Sequence, residues 1–310
     1  MTRARRDPWS AVALSLVVPG LGHIYAGQPR HAARSFLLAL ATGVGVLALL
    51  LWYPLGSFSV PVALLTTLFV YLGVAADAAR TAKRAPQPYA LKRYNRWYVY
   101  AGVCLAVVVG GQLQASATRI HLVRAYRIPS GAMTPTLLVG DWLFVSPRSL
   151  TPQELRHGLL AVYEMPLEPD LLVIKRIVGL PGDTLSMVDG LLYLDGRLVD
   201  EPYVREAAPT ADRTDPAMRQ WQLAHFVGED PESYQPSMNN WGPLFVPRDS
   251  LFFLGDSRTQ SFDTRYHGLV AFAWLRGQPM HIYFSYDPQG GGPLPFFTAI
   301  RWDRLGRSFP

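Results

Sequence analysis

N-terminal transmembrane helices joined to an all-β domain are the fold class this sequence predicts, and three observations predict it. From Ser35 to Ala76 the chain runs 42 residues without a charge, which as helix would reach roughly 63 Å, about two hydrocarbon-core thicknesses. A second uncharged window of 22 residues, Trp97 to Thr118, would reach about 33 Å. After Thr118 the pattern changes to short β-type runs punctuated by Gly and Pro. Composition agrees: 49% of the 310 residues are apolar and 17% charged, with a mean hydropathy of +0.11, too apolar for a purely soluble chain.

The first apolar stretch, Pro8 to Gln28, is broken by Pro19-Gly20 and Gly22 and has arginines on both sides: Arg3, Arg5 and Arg6 before it, Arg30 and Arg34 after it. Cations at both ends of a broken helix predict a re-entrant or interfacial hairpin over residues 1–31, because a full crossing would put one arginine cluster outside. The competing reading is a fourth spanning helix. Pro54-Leu55-Gly56-Ser57 divides the long uncharged run into two crossings, about 35–53 and 58–79, within a membrane region of 32–79. The segment 80–96 carries Arg80, Lys83, Arg84, Lys92, Arg93 and Arg96 with no acid, and so reads as a cytoplasmic loop. Residues 97–118 make the third crossing, with Trp97, Tyr98 and Tyr100 as interface anchors. Residues 119–310 then lie outside the cytoplasm.

Charge follows this division. Residues 1–118 hold eleven Lys/Arg against Asp7 and Asp77, net +9, so the remainder is net −3. Basic groups placed between apolar segments are a membrane signature and exclude a nucleic-acid footprint, which would sit on the folded domain. A single cysteine, Cys104, excludes an intrachain disulfide scaffold and a Cys-rich metal site.

In the outer domain the expected strands are Trp142–Val145, Leu159–Tyr163, Leu171–Val178, Leu191–Leu194, Leu251–Leu254, Leu269–Trp274 and His281–Ser285, with Asp189-Gly190 and Asp195-Gly196 as hairpin turns. Residues 201–247, rich in Pro, Asp, Glu, Arg and Asn, read as a surface insertion. Lysine is scarce: three among 29 basic residues, of which only Lys175 lies in this domain. Strand alternation puts Lys175 on the same face as Val173 and Ile177. Burial there would lower its pKa and make the amine usable as a general base, a task arginine does not perform. The plain alternative is a lysine that snorkels or pairs at a strand end.

Two further motifs bear on that choice. Ile128-Pro129-Ser130-Gly131-Ala132-Met133-Thr134-Pro135, followed by Gly140-Asp141, is a loop stiffened by two prolines whose backbone N–H groups can face a carbonyl; an ordinary turn is the alternative. Gly255-Asp256-Ser257-Arg258-Thr259-Gln260-Ser261-Phe262-Asp263-Thr264-Arg265 packs two Asp and two Arg among hydroxyls, either as a buried supporting network or as a surface loop with ion pairs. There is no G-x-S-x-G elbow and no H-E-x-x-H, and His267 near Asp263 reads as a strand-end histidine.

Taken together, IPSGAMTPTLLVGDWLFV (128–145), IKRIVGLPGD (174–183), FLGDSRTQSFDTRYHGLV (253–270) and RWDRLGRSF (301–309) resemble, in order and spacing, the bacterial type I signal peptidases, membrane-bound Ser/Lys endopeptidases. The resemblance implies that Lys175 is the general base, that Ser261 orients it, and that Ser130 and the backbone N–H of Ala132 form the oxyanion hole. It implies that Arg176, Asp256, Arg258, Asp263 and Arg265 support these groups. It also implies signal peptides of exported preproteins as partners, membrane lipid around the anchor, no nucleic acid, no metal or organic cofactor, and a multi-pass place in the bacterial cytoplasmic membrane. One departure stands at the nucleophile: the family pattern is Ser-Gly-Ser-Met, and its second serine is here Ala132. Three readings follow: an enzyme whose nucleophile was replaced, a natural non-catalytic homologue that binds signal peptides without cutting, or Ser130 acting in its place. A self-cleaving Ser/Lys repressor shares the dyad but not the crossings. The N-terminal PGLGHIYAGQ stretch lies outside the resemblance.

Overall fold

Asp7 starts the first helix: its carboxylate accepts the Ser10 N–H at 2.8 Å, and Pro8 fills the first position, where no N–H is needed. The computed structural model describes residues 3–52, 59–86, 88–148, 150–204, 212–290 and 294–309. It divides into two units, Met1–Arg119 and Ile120–Pro310.

In the first unit a short strand β1 (Arg3–Ala4) precedes helix α1 (Pro8–Val17), and Gly20, at φ 99°, turns the chain into α2 (Leu21–Tyr25). Ten residues of α1 rise about 15 Å, half a hydrocarbon core. The two helices touch at backbone distance: a Cβ on Gly22 would lie 2.1 Å from the Ala11 carbonyl oxygen. Ala11, Ala26, Ala78 and Ala82 form the small-residue core there, and the buried His23 meets Asp77 at 2.9 Å. PGLGHIYAGQ is therefore a packing motif. Its Gly27 carbonyl accepts from Tyr94, its Ile24 carbonyl from Asn95, and Tyr25 shares the Arg6 guanidinium with Tyr89.

Three long helices follow: α3 (Pro29–Trp52), α4 (Ser59–Arg84) and, after strand β2 (Tyr89–Ala90, paired with β1), α5 (Trp97–His121). Pro29–Leu50, Pro61–Arg84 and Trp97–Ile120 are long and apolar enough to cross a membrane. Their exposed faces carry Leu37, Leu64, Phe69, Leu105 and Val108, the apolar surface expected of helices of this length and composition. The expected Pro54–Ser57 turn lies outside the described residues.

The second unit is β-rich. Its strands are β3 (Arg124–Arg127), β4 (Asp141–Ser146), β5 (Leu160–Met165), β6 (Glu168–Gly179), β7 (Thr184–Val188), β8 (Leu191–Leu194), β9 (Arg197–Leu198), β10 (Trp241–Phe245), β11 (Ser250–Leu254), β12 (Val270–Ala271) and β13 (Leu275–Ser285). They form a seven-stranded sheet in the order β12-β11-β6-β5-β13-β4-β3 and a four-stranded sheet in the order β10-β7-β8-β9. The pairings are antiparallel. Asp189-Gly190 and Asp195-Gly196 take the left-handed conformation (φ 49° and 78°, 49° and 75°) that two-residue hairpin turns require. One apolar cluster gathers Leu137, Leu143, Val145, Leu160 and Ile282. A second gathers Ala161, Tyr163, Ile177 and Phe253, and a third, Leu185, Met187, Trp241 and Phe252 on the smaller sheet.

Three expectations are corrected. The expected strand Leu269–Trp274 is only β12 followed by a 3₁₀ turn at Phe272–Trp274, while the expected His281–Ser285 is the end of the eleven-residue β13. Gly277 and Pro279 read as breakers, yet both sit where the ladder register shifts, and a bulge tolerates a residue with no N–H. The expected surface insertion 201–247 is surface only in part. Its β10 pairs with β7, and Met218 of α6 (Pro216–Gln222) is fully buried in the core with Trp241 and Leu244.

Candidate active site

Lys175 lies on β6 opposite Ala161 of β5, with Val173 opposite Tyr163, so alternation sends it onto the face that also carries Tyr163, Ile177 and Phe253. It is 4% exposed. That apolar wall strips water from the ammonium, and burial holds the Lys175 pKa below its ordinary value; Asp263 and Asp256 push it up and Arg265 pushes it down. Its Nζ donates to Ser261 Oγ at 2.8 Å.

The Ser130–Thr136 loop reaches the same place. Ser130, Ala132, Met133 and Lys175 line one cavity of about 230 Å³ with Ile128, Val173 and Ile174. Ser130 is exposed and Ala132 half-buried, while Met133 and Leu137 anchor the loop in the core. The Ser257 N–H donates to the Ala132 carbonyl at 3.2 Å. Gly255 sits so near both that a Cβ there would lie 2.1 Å from Ser261 Oγ and 2.6 Å from the Ala132 oxygen. Positions 132 and 261 thus meet at one glycine, and Lys175 joins them through Ser261.

The Asp/Arg groups divide into separate pairs. Arg176 forks onto Asp256 at 2.8 and 2.6 Å and also donates to the Gly158 carbonyl. Thr136 of the Ser130 loop donates to the same Asp256 at 2.5 Å. Arg265 forks onto Asp263 at 2.9 and 3.0 Å, and Asp263 also accepts the Gly255 N–H at 3.0 Å. Burial alone would raise the Asp263 pKa, but Arg265, Lys175 and that N–H outweigh it and bring it to about 2. Arg258 reaches neither aspartate: it pairs with Glu201 at 2.6 Å. Three buried arginines against two aspartates leave one cation over, and Glu201 takes it. Asp141 was also missed as a partner. It holds Arg304 at 2.9 and 2.5 Å, and Arg304 donates to the Thr136 carbonyl, so the RWDRLGRSF tail fixes the far end of the loop.

His267 is not at a strand end. It closes the short helix α7 (Thr264–His267), buried, with Nδ1 on the Gly268 carbonyl at 2.9 Å and Nε2 against the Tyr163 hydroxyl at 3.1 Å. Since a carbonyl only accepts, Nδ1 donates and Nε2 accepts a hydrogen bond from the Tyr163 hydroxyl. Burial lowers its pKa and keeps the ring neutral.

The chain has relatives among known proteins. The family described as "Signal peptidase, peptidase S26" matches residues 96–284. A signal peptidase I of Leptolyngbya laminosa is 32% identical over 192 residues, covering 59% of this chain and 80% of that protein. A signal peptidase I of Pseudomonas aeruginosa is 28% identical over 207 residues, covering 59% and 72%. A solved signal peptidase I from Enterococcus faecalis aligns at 24% identity over 40% of this chain and 95% of its own, with a TM-score of 0.27.

Proposed function

The chain belongs to the peptidase S26 signal peptidase family, and from that premise we propose that it is a membrane-bound signal peptidase I with position 132 in the nucleophile's place. The observation that carries the reading is the buried Lys175 Nζ to Ser261 Oγ contact at 2.8 Å, on the cavity that Ala132 also lines. With a serine at 132, the neutral Lys175 amine takes the hydroxyl proton as Oγ attacks the scissile carbonyl, then returns it to the leaving amine. Ser261 holds the amine in place, and the N–H of residue 132 with the Ser130 hydroxyl stabilises the oxyanion. As written, Ala132 has no hydroxyl, and the chain binds preprotein without cutting it.

Substrate seats as an added strand. β3 is an edge strand, and β6 is unpaired on its β11 side before Arg176 among the described residues. The cavity between them is lined by Tyr126 and Ile128 on one side and Leu171 to Ile174 on the other. An extended signal peptide completes the hydrogen bonding there, with small residues such as Ala at the first and third positions before the cut. The test is cleavage of a purified preprotein in detergent by the chain as it stands, by Ala132→Ser, and by Ala132→Ser with Lys175→Ala.

The base assignment sets a pH dependence. The active amine is neutral, so kcat/KM of Ala132→Ser rises with pH through a midpoint below the ordinary lysine value of 10.5. A flat profile, or a midpoint at or above that value, overturns the assignment.

The anchor makes three crossings, with the 80–96 loop cytoplasmic and Ile120–Pro310 outside, as the basic loop favours. Protease added outside spheroplasts is expected to digest the second unit and spare the basic loop; the reverse pattern refutes this orientation.

A further inference from the structure

We propose that Glu201 and Tyr203 are positioning residues of this active site, a clip that holds Arg176 and Arg258 and through them the Gly255–Ser257 turn against Ser261 and Ala132. The proposal rests on the assignment of Lys175 as the base. The two residues follow β9 of the smaller sheet, yet their contacts lie on the network around Lys175. Arg258 Nη2 donates to Glu201 Oε1 at 2.6 Å, and the Tyr203 hydroxyl donates to the same oxygen at 2.8 Å. The Tyr203 ring lies 3.8 Å from the Arg176 guanidinium carbon, face to cation. One carboxylate and one ring thus serve two buried arginines, which are 3% and 5% exposed.

Each arginine carries the constraint onward. Arg258 Nε donates to the Gly255 carbonyl at 3.1 Å. Arg176 holds Asp256 by both carboxylate oxygens and reaches Thr136 Oγ1 at 3.2 Å. Gly255 is the residue against which Ser261 and the Ala132 carbonyl pack, with no room for even one methyl group, and the Ser257 N–H on the other side of Asp256 donates to that carbonyl. A movement of this turn therefore moves the groups that orient the base and the position of attack together. Among the described residues Tyr203 belongs to none of the apolar clusters of the second unit, and its hydroxyl and ring meet Glu201 and Arg176.

Displacement of about 1 Å at a reacting centre can cost a hundredfold in rate. In the Ala132→Ser form, Tyr203→Leu and Glu201→Gln are each expected to lower kcat by about 10- to 100-fold with KM changed less than about twofold. Tyr203→Phe keeps the ring over Arg176 and loses only the hydroxyl, so it should recover most of the rate. Unchanged kcat in both variants, or a loss accounted for by the fraction of unfolded protein in thermal melts, overturns the clip. If Ala132→Ser itself does not cleave, the reading of position 132 has failed, and the clip is judged in the unaltered chain. The chain has only three lysines, Lys83, Lys92 and Lys175, so ¹³Cε-lysine NMR follows Lys175 directly. The clip predicts that its titration midpoint moves in Tyr203→Leu and returns in Tyr203→Phe; an unmoved midpoint refutes it.

Discussion

Restoring a hydroxyl with Ala132→Ser is expected to raise preprotein cleavage above background by a factor on the order of 10⁴ to 10⁶, which is about 5–8 kcal/mol of transition-state stabilisation. The size follows from what is already assembled. The base is buried and its partner is 2.8 Å away. The carbonyl of residue 132 is held by the Ser257 N–H, and the loop is anchored by the buried Met133 and Leu137. One oxygen added to a half-buried side chain lining a cavity of about 230 Å³ needs no repacking. Adding Lys175→Ala should return the rate to background, because an unactivated serine hydroxyl is a weak nucleophile at neutral pH. Cleavage confined to the singly restored form supports the reading. Preprotein bound but uncut in all forms makes the chain a signal-peptide-binding protein without catalysis. Cleavage by the unaltered chain moves the nucleophile elsewhere, with Ser130 the first place to look.

What the sequence reveals here depends on the range of the signal. A run without charge is a local property, so the long apolar helices can be read directly from Ser35–Ala76 and Trp97–Thr118. Burial of Lys175 is also local: a scarce lysine in an apolar run of period two has a predictable face. Pairing is not local. Arg176 and Asp256 are 80 residues apart, and Arg258 pairs across 57 residues with Glu201 while two aspartates lie close by in sequence. Glu201 and Tyr203 lie in a stretch whose composition matches solvent-exposed loops. Only their contacts with two buried cations distinguish them. β13 and β10 were hidden for another reason: Gly277, Pro279 and Pro243 read as breaks, and the sheet absorbs each of them at a register shift.

Asp263→Asn is expected to destabilise the second unit by about 3–5 kcal/mol, because it leaves the Arg265 guanidinium buried against a neutral amide. Both side chains are fully buried. The Arg265 side chain also donates to the Arg258 carbonyl at 2.7 Å and the Met238 carbonyl at 3.2 Å, so it cannot turn out to water without undoing both of these contacts, while its backbone carbonyl is held by Trp221 and Gln222. For a unit of this size the loss corresponds to a fall in Tm of roughly 6–20 °C. The pH dependence has a definite sign. The Asp263 pKa is depressed from 3.8 to about 2, so its stabilisation is complete above about 4 and fades as pH falls towards 2, where the variant and the parent should converge. A penalty below about 1 kcal/mol at neutral pH would show that the pair is not the anchor its geometry indicates. Replacing both residues by apolar ones of similar volume should cost less than the single change, since no charge is then left buried. The same carboxylate favours the charged form of Lys175, so Asp263→Asn in the Ala132→Ser background should shift the cleavage profile to lower pH even as the fold weakens. Stability falls while the share of neutral amine at a given pH rises, because Asp263 serves both the arginine that holds the turn and the lysine that must lose its proton.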